Sequence, residues 1–555
     1  MKVFFQKTLH PGSLTDTKSR TTLCILSLTV ICCILTAIAQ GSSLFNAPHY
    51  TKIMLLTILF LTYFGLLYYL KVSGKLKQED TAVFMMLFLG ILIRCGYILL
   101  SGLYDRQHDA GIYTGMGTSD INSGHIGYIE YLYKFHKLPD MNPYEVFGYY
   151  HPPFHHIISC LWLQLNLLLG TTEELAFENL QILPLLYSCL TMTVTWKILK
   201  TLEIDGKGLF IALAFAIFHP AMVIMAGSVN NDMLTTLFMA VTILYTLKFI
   251  RDKQLKYLII LALSIGFGMI TKLNSAVLAV PVGLIFLLHF ISVIRTKDRS
   301  LLLKWIRNYC IFAVIVIPIG LSWIIRNALM FRIKPGVPVP GEESLMYTGT
   351  YSLWERLGIP TFSDWRFHFP FHPFKAEACH NTWVIMFHTS LFTEEYPTEL
   401  PDILLILCQI VFFLAVVFGV ITAVLLVIVL LKKLTVSMDR IFLLSGYGVM
   451  LFSFAAFVII YPYTCSSDFR YITICLVYIA IAIGLGNQYY LSQNTNNEEP
   501  TTSVNAPSES REQFKKHTKS GAAQKAAPAI MHFINWGILT ILLLSNIIYL
   551  FWERW

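Results

Sequence analysis

The sequence predicts an all-α polytopic membrane protein of about 13 transmembrane helices, each near the ~20 residues that cross a bilayer. Three observations carry that reading. The chain has 555 residues, of which 55% are hydrophobic and 13% charged, against roughly 25% charged in an average soluble protein. Mean hydropathy is +0.62. Apolar runs recur along nearly the whole length, with Lys and Arg gathered in alternate connections.

In chain order the expected spans are 21–40, 51–70, 81–103, 180–197, 208–227, 232–250, 257–271, 275–294, 304–326, 401–431, 441–461, 471–488 and 531–551. The first follows Lys2, Lys7, Lys18 and Arg20 and ends in "AIAQ", faintly like a signal-peptidase site; its 20 apolar residues suit an uncleaved span better. Segment 153–170, "PFHHIISCLWLQLNLLLG", is also apolar, and whether it crosses sets the parity of everything after it. As a non-spanning juxtamembrane helix it leaves the basic connections on one side: Lys71, Lys75 and Lys77; Lys197, Lys200 and Lys207; Arg251, Lys253 and Lys256; 295–307; Lys432, Lys433 and Arg440; and 489–530. The opposite connections 41–50, 171–179 and 228–232 hold no Lys or Arg. The positive-inside rule therefore places the N-terminus in the cytoplasm and 104–179 and 327–400 outside.

The formal net charge of +8 follows from these cytoplasmic residues, helped by anionic lipid, and calls for no nucleic acid. The 11 Cys are scattered, several inside apolar runs (Cys24, Cys32, Cys33), without CxxC or zinc spacing, and read as small core residues. The domains expected are two N-terminal helices in 1–80, a core in 81–326 with its outer loop 104–179, a second outer loop 327–400, further helices in 401–488, a disordered cytoplasmic loop 489–530 and a last helix in 531–555.

Polar chemistry concentrates outside. The loop after the third span, "YDRQHDAGIYTGMGTSDINSGHIGYIEYLYKFHKLPDMNPYEVFGYYHPPFHH", carries His108 and Asp109 a few residues beyond the membrane boundary, with Asp105 and Asp120 nearby. A tight outer turn, "SVNNDML", offers Asn231 and Asp232. Solvation or helix capping by Asn230, Asn231 or Asp232 explains each carboxylate singly; two from separate outer loops make an acid/base or sugar-binding pair. Lys272, Arg326 and Arg470 sit at outer helix ends, against the positive-inside trend. Such cations either snorkel or pair, as Arg470 with Asp468, or hold a phosphate. Tyr150 and His151 in "YYHPPFHH" are candidate substrate contacts. His151, His155 and His156 raise a metal site, but no HExxH is present and two prolines interrupt the helix start, so the reading is an interfacial aromatic anchor. No P-loop, GxGxxG or GxSxG element stands in a strand–turn–helix setting, which argues against a nucleotide-driven pump.

Taken in order, "HDAG", "GHIGYIEYLYKFHKLP", "YHPPFHH", "NND", "TK", "WIIRN" and "DFRY" resemble the GT-C glycosyltransferases, in the branch of protein O-mannosyltransferases and bacterial aminoarabinose transferases, over about residues 81–488. Ala110 stands where many relatives carry Glu, and His151 where the aminoarabinose transferases carry Lys. The resemblance implies a GT-C fold with juxtamembrane helices in the first outer loop. It implies transfer of a sugar, on the outer face and with inversion, from a polyprenyl-phosphate donor to a protein, glycan or glycolipid acceptor. Asp109 would be the general base, Asp232 would orient substrate, and Lys272, Arg326 and Arg470 would hold the departing phosphate. His108, Tyr150, His151 and Asn231 would complete the substrate contacts. A divalent metal is permitted by this scheme but not required. The expected location is a plasma membrane, the endoplasmic reticulum being the alternative. The aromatic loop 327–400 reads as a lid with Trp383, His388 and Glu394 as acceptor contacts. A lipid-sugar flippase or other transporter is the competing reading, and would gather charges deep within broken helices. A non-catalytic assembly subunit is a further rival.

Overall fold

The computed structural model describes residues 11–41, 48–103, 122–336, 338, 341–360, 375–392, 394, 401–433, 437–495 and 521–551. The candidates His108 and Asp109 lie outside these residues, as do Asp105 and Asp120. Among the described residues the secondary structure is helical, with a single isolated bridge between Tyr347 and Tyr463.

Two helices, α1 (Pro11–Gly41) and α2 (Pro48–Val72), pack on α3 (Glu79–Leu100). The connection after α3, expected to lie outside, contributes α4 (Gly124–Phe135) and α5 (Phe154–Leu168). The core continues with α6 (Ile182–Thr201), α7 (Gly206–Phe218), α8 (Asp232–Asp252), α9 (Leu255–Thr271), α10 (Ala279–Arg295) and α11 (Arg299–Phe331). The connection after α11, also expected to lie outside, holds α12 (Leu353–Leu357) and α13 (Thr382–Phe392). The chain ends in α14 (Asp402–Lys433), α15 (Ser437–Ile460), α16 (Cys475–Thr495) and α17 (Gly521–Phe551).

Among the described residues nine helices are long and apolar enough to cross a bilayer, and the bent pair Thr464–Ile472 with Cys475–Tyr489 makes a tenth if counted as one span. Two other expected spans are shorter apolar helices, Gly206–Phe218 and Leu255–Thr271, and the last falls within the 31-residue α17. The shortfall has local causes. Helix α7 stops at His219, where Pro220 starts a separate short turn, and α9 stops where Lys272 turns extended at φ −156°. Segment Phe154–Leu168 is likewise too short, about 22 Å at 1.5 Å per residue. Helices α16 and α17 run further into the loop 489–530 than hydropathy alone marks, through Thr495 and from Gly521.

Close helix approach sets the packing. A Cβ on Gly208 of α7 would meet the Gly484 carbonyl of α16 at 2.9 Å, so small residues let these backbones touch. One polar clamp fastens the last helix: Asn487 and Asn535 exchange amide hydrogen bonds of 3.0 and 2.6 Å in a buried setting. Helices α8 and α9 form an antiparallel hairpin joined by Lys253 and Gln254, with Lys253 closing α8 at φ +52°. Helix α11 packs along α9 and begins with Asp298, whose carboxylate accepts the Ser300 and Leu301 N–H groups.

Candidate active site

The start of α8 and the end of α9 are stitched together by side chains. Asn230 Oδ1 accepts the Asp232 N–H at 3.0 Å, and Asn231 Nδ2 donates to the Thr271 carbonyl at 2.9 Å. The capping role open to this Asn-Asn-Asp turn is thus divided: Asn230 serves the helix start and Asn231 reaches the neighbouring helix end. The result brings Asp232 Oδ1 onto Lys272 Nζ in a buried ion pair, with side chains 3% and 10% exposed. Neither Asp232 Oδ2 nor Asn231 Oδ1 has a hydrogen-bond partner among the described residues. Buried polar atoms are rarely left so without a ligand or water to meet them. The Lys272 ammonium also stands 4.7 Å from the centre of the Tyr471 ring, a cation–π distance.

Tyr471 belongs to the interrupted segment Thr464–Ile472, which meets the following helix at 50°. Asp468 accepts the Arg470 N–H at 2.9 Å and so starts the turn. The Arg470 guanidinium lies 3.8 Å from Asp468 Oδ2, 3.9 Å from Glu394 Oε1 and 5.2 Å from the Tyr471 ring centre. Both carboxylate contacts exceed hydrogen-bond length. The two cations therefore flank one tyrosine, with three carboxylates around them. The expected Arg470–Asp468 pairing is present, and Glu394 joins it.

The first outer loop folds onto this pair. Gly148 adopts φ +90°, and a Cβ there would come within 2.9 Å of the Gly124 backbone, whose N–H bonds Phe147 O at 2.7 Å. Only glycine suits such a conformation and contact. The turn delivers Tyr149, whose hydroxyl donates to Asn122 O and Gly127 O, both at 2.9 Å. It also delivers His151, whose ring stacks on His125 at 5.0 Å. His125 continues the stack to His156 at 5.2 Å and meets it through Nδ1 and Nε2 at 3.0 Å. Tyr128 covers the far face of His156 at 4.4 Å.

The interfacial-anchor reading of these histidines needs correcting. His155 and His156 are fully buried, because α5 turns its histidine edge inward and shows Leu161, Leu165 and Leu168 outward. Burial holds both imidazoles neutral, His155 down to about 3 and His156 well below 6.5. Desolvation also depresses His151, reinforced by the neighbouring imidazoles of His125 and His156 and the cations Lys272 and Arg470. That shared electrostatic environment joins the loop to the ion-pair cluster.

Arg326 occupies an adjacent corner. It donates to Pro139 O and, at 2.9 Å, to Asn327 Oδ1, and lies 4.8 Å over Trp323, whose indole donates to Tyr150 O at 3.2 Å. Tyr150, Trp323 and Asn327 line a small pocket with Leu273, the neighbour of Lys272. The structure thus gathers Asn231, Asp232, Lys272, His151 and Arg470, with Arg326 and Tyr150 alongside. Of the second-loop candidates, Glu394 reaches Arg470, whereas Trp383 spends its N–H on Leu357 O at 2.7 Å and His388 is fully buried. Among the described residues no three His, Cys, Asp or Glu side chains converge as metal ligands do. Sequence reasoning passed over Tyr471, His125 and Tyr128, whose roles depend on ring contacts between distant segments; the one local signal was Tyr471 following Arg470.

Residues 151–323 match the family of dolichyl-phosphate-mannose-protein mannosyltransferases. The resemblance to GT-C membrane glycosyltransferases is borne out. The family match spans His151, Asp232, Lys272 and Trp323 and stops short of Arg326 and Arg470. No curated protein sequence matches the chain significantly. Similar solved structures include the oligosaccharyltransferase of Archaeoglobus fulgidus tethered with an acceptor peptide, at 14% identity and TM-score 0.43 over 84% of this chain and 55% of that one. The chain therefore spans just over half the length of that archaeal protein. Another is ArnT from Cupriavidus metallidurans bound to undecaprenyl phosphate, at 14% identity and TM-score 0.32 over 74% of this chain and 78% of that one.

Proposed function

We propose that the chain is a membrane glycosyltransferase that moves a sugar from a polyprenyl-phosphate carrier to an acceptor on the outer face. The observation that carries this reading is the buried Asp232–Lys272 pair, inside a segment matching the dolichyl-phosphate-mannose-protein mannosyltransferases, facing Arg470 across Tyr471 from a later part of the chain. A departing polyprenyl phosphate gains negative charge as its bond to the anomeric carbon breaks. Cations already fixed in a partly dry cleft stabilise that charge with little reorganisation. Lys272 has three donors, one engaged by Asp232, and the Arg470 guanidinium stands beside the same tyrosine ring. Asp232 Oδ2 and Asn231 Oδ1 accept hydroxyls of the sugar or acceptor. His151, held neutral, offers an imidazole N–H to the same anion. Asp109 takes the acceptor proton as its oxygen attacks the anomeric carbon from the face opposite the phosphate, inverting its configuration.

The test incubates purified protein with radiolabelled polyprenyl-phosphate sugars and, separately, nucleotide sugars, comparing wild type with Asp109→Asn and Asp232→Asn. Turnover from the lipid-linked donor alone, lost in Asp109→Asn, supports the reading. Undiminished turnover in Asp109→Asn moves the base elsewhere. Translocation of the lipid-linked sugar across liposomes without transfer to any acceptor overturns the reading in favour of a flippase.

A further inference from the structure

One face of the second outer loop points away from the site and from the core. On and just after α12, Leu353 is 55% exposed, Trp354 73% and Ile359 84%. The turn that displays them is firmly held. Ser352 and Glu355 form a reciprocal capping box, with Ser352 N–H donating to Glu355 Oε2 at 2.8 Å and Glu355 N–H to Ser352 Oγ at 3.3 Å. Asn381 Nδ2 donates to Glu355 O and Gly358 O, both at 3.1 Å, and the Trp383 indole to Leu357 O. Buried Arg356 donates to Val458 O.

The last contact says what lies over the apolar face. Val458 is in the final turn of α15, a helix long and apolar enough to span. The outer half of that helix exposes Phe452 (75%), Ile459 (45%) and Ile460 (66%), the surface that a spanning helix gives to lipid. Arg356 seats α12 against this end, so Leu353, Trp354 and Ile359 prolong the lipid-facing surface rather than open a new one. Glu355, the charge on the same turn, is folded back onto Ser352. A Trp with flanking Leu and Ile at a span end fits the headgroup–acyl boundary, where an amphipathic ring satisfies both neighbours.

We propose that the Leu353–Ile359 turn inserts into the outer-leaflet interface of the bilayer, with Trp354 at headgroup depth. The proposal is independent of the reaction assigned above. The turn is bonded in series to the site: Asn381 and Trp383 lead into α13, where Thr389 Oγ1 accepts the Phe469 N–H at 3.0 Å, one residue before Arg470. Insertion therefore fixes the depth of Arg470 relative to the membrane surface.

The test uses the full chain in lipid nanodiscs, open to solvent on both faces. Cys24, Cys310 and Cys465, the thiols not fully buried among the described residues, are replaced by Ser. A thiol-reactive NBD dye is then placed on Trp354→Cys and, as an exposed reference, on Glu377→Cys. The expected result is strong quenching at 354 by shallow nitroxide lipids and iodide quenching severalfold weaker than at 377. Iodide quenching at 354 equal to that at 377, with no effect of nitroxide lipid, overturns the proposal and makes this a water-facing surface for a soluble partner. Should Trp354→Cys fail to fold, Ile359→Cys is read by the same two criteria.

Discussion

Replacing Lys272 by Met removes the ammonium while keeping an unbranched side chain of similar length. What remains is a carboxylate 3% exposed whose Oδ2 already lacks a partner among the described residues. Two unit charges about 4 Å apart at an effective dielectric of ~20 attract by ~4 kcal/mol. Stranding one member of a buried pair costs about 3–5 kcal/mol. Because both side chains are nearly excluded from solvent, screening reduces that figure little. The expected outcome for Lys272→Met is a clear drop in the thermal unfolding midpoint of the detergent-solubilised protein. The double variant Lys272→Met/Asp232→Asn, which removes both charges, should recover most of the loss while turnover stays absent. With the Asp232→Asn single variant added, comparison of the four proteins isolates the coupling between the two side chains. If the single variant unfolds like wild type, or the double variant is no more stable than the single, the pair does not carry the energy assigned to it.

Four further outcomes are expected. His155 and His156 take up protons in the unfolded chain near pH 6.5 but not in the folded protein until far lower. Stability should be full above pH 6.5 and fall below it by up to about 1.4 kcal/mol per pH unit for each histidine; denaturation midpoints at pH 7 and 5 check this, and His155→Gln should flatten the slope. Gly148→Ala, forced at φ +90° against Gly124, should cost about 1–3 kcal/mol and speed amide exchange across 122–151 while leaving the spans protected. Asn535→Leu strands the Asn487 amide and should cost about 1 kcal/mol, with Asn487→Leu/Asn535→Leu restoring the midpoint. Arg470→Lys should raise the KM for a lipid-linked donor by about tenfold, since a point charge replaces a planar fork; unchanged KM would remove Arg470 from phosphate binding.

The helices were legible because hydropathy is summed over many residues, and Lys and Arg asymmetry separated 153–170 from the spans. What hydropathy misplaced were helix ends ruled by single residues. Pro220 cuts α7 short, and Lys272 ends α9 by turning extended to meet Asp232. At the site, residues that break a regional rule stood out: a Lys and two Arg at outer helix ends, and Asp232 in a loop without basic residues. His125 and Tyr128 broke no such rule. They sit in an amphipathic helix of ordinary composition, and only the fold brings them onto His156 and His151. The inward face of α5 was likewise hidden, because His and Pro beside an apolar run read equally as an interfacial anchor. Asp109, prominent in the sequence, lies beyond the described residues.

The α8–α9 hairpin acts as a pair of callipers. Its jaws, Asp232 and Lys272, meet at one end, while its pivot, Lys253–Gln254, lies at the other, about 25–30 Å away along helices rising 1.5 Å per residue. Each residue added within a helix, between pivot and jaw, turns that jaw by about 100° about the helix axis. A one-residue insertion within α9 would swing Lys272 off Asp232 without touching the site, so the meeting of these charges is gauged by the number of residues between them and the turn.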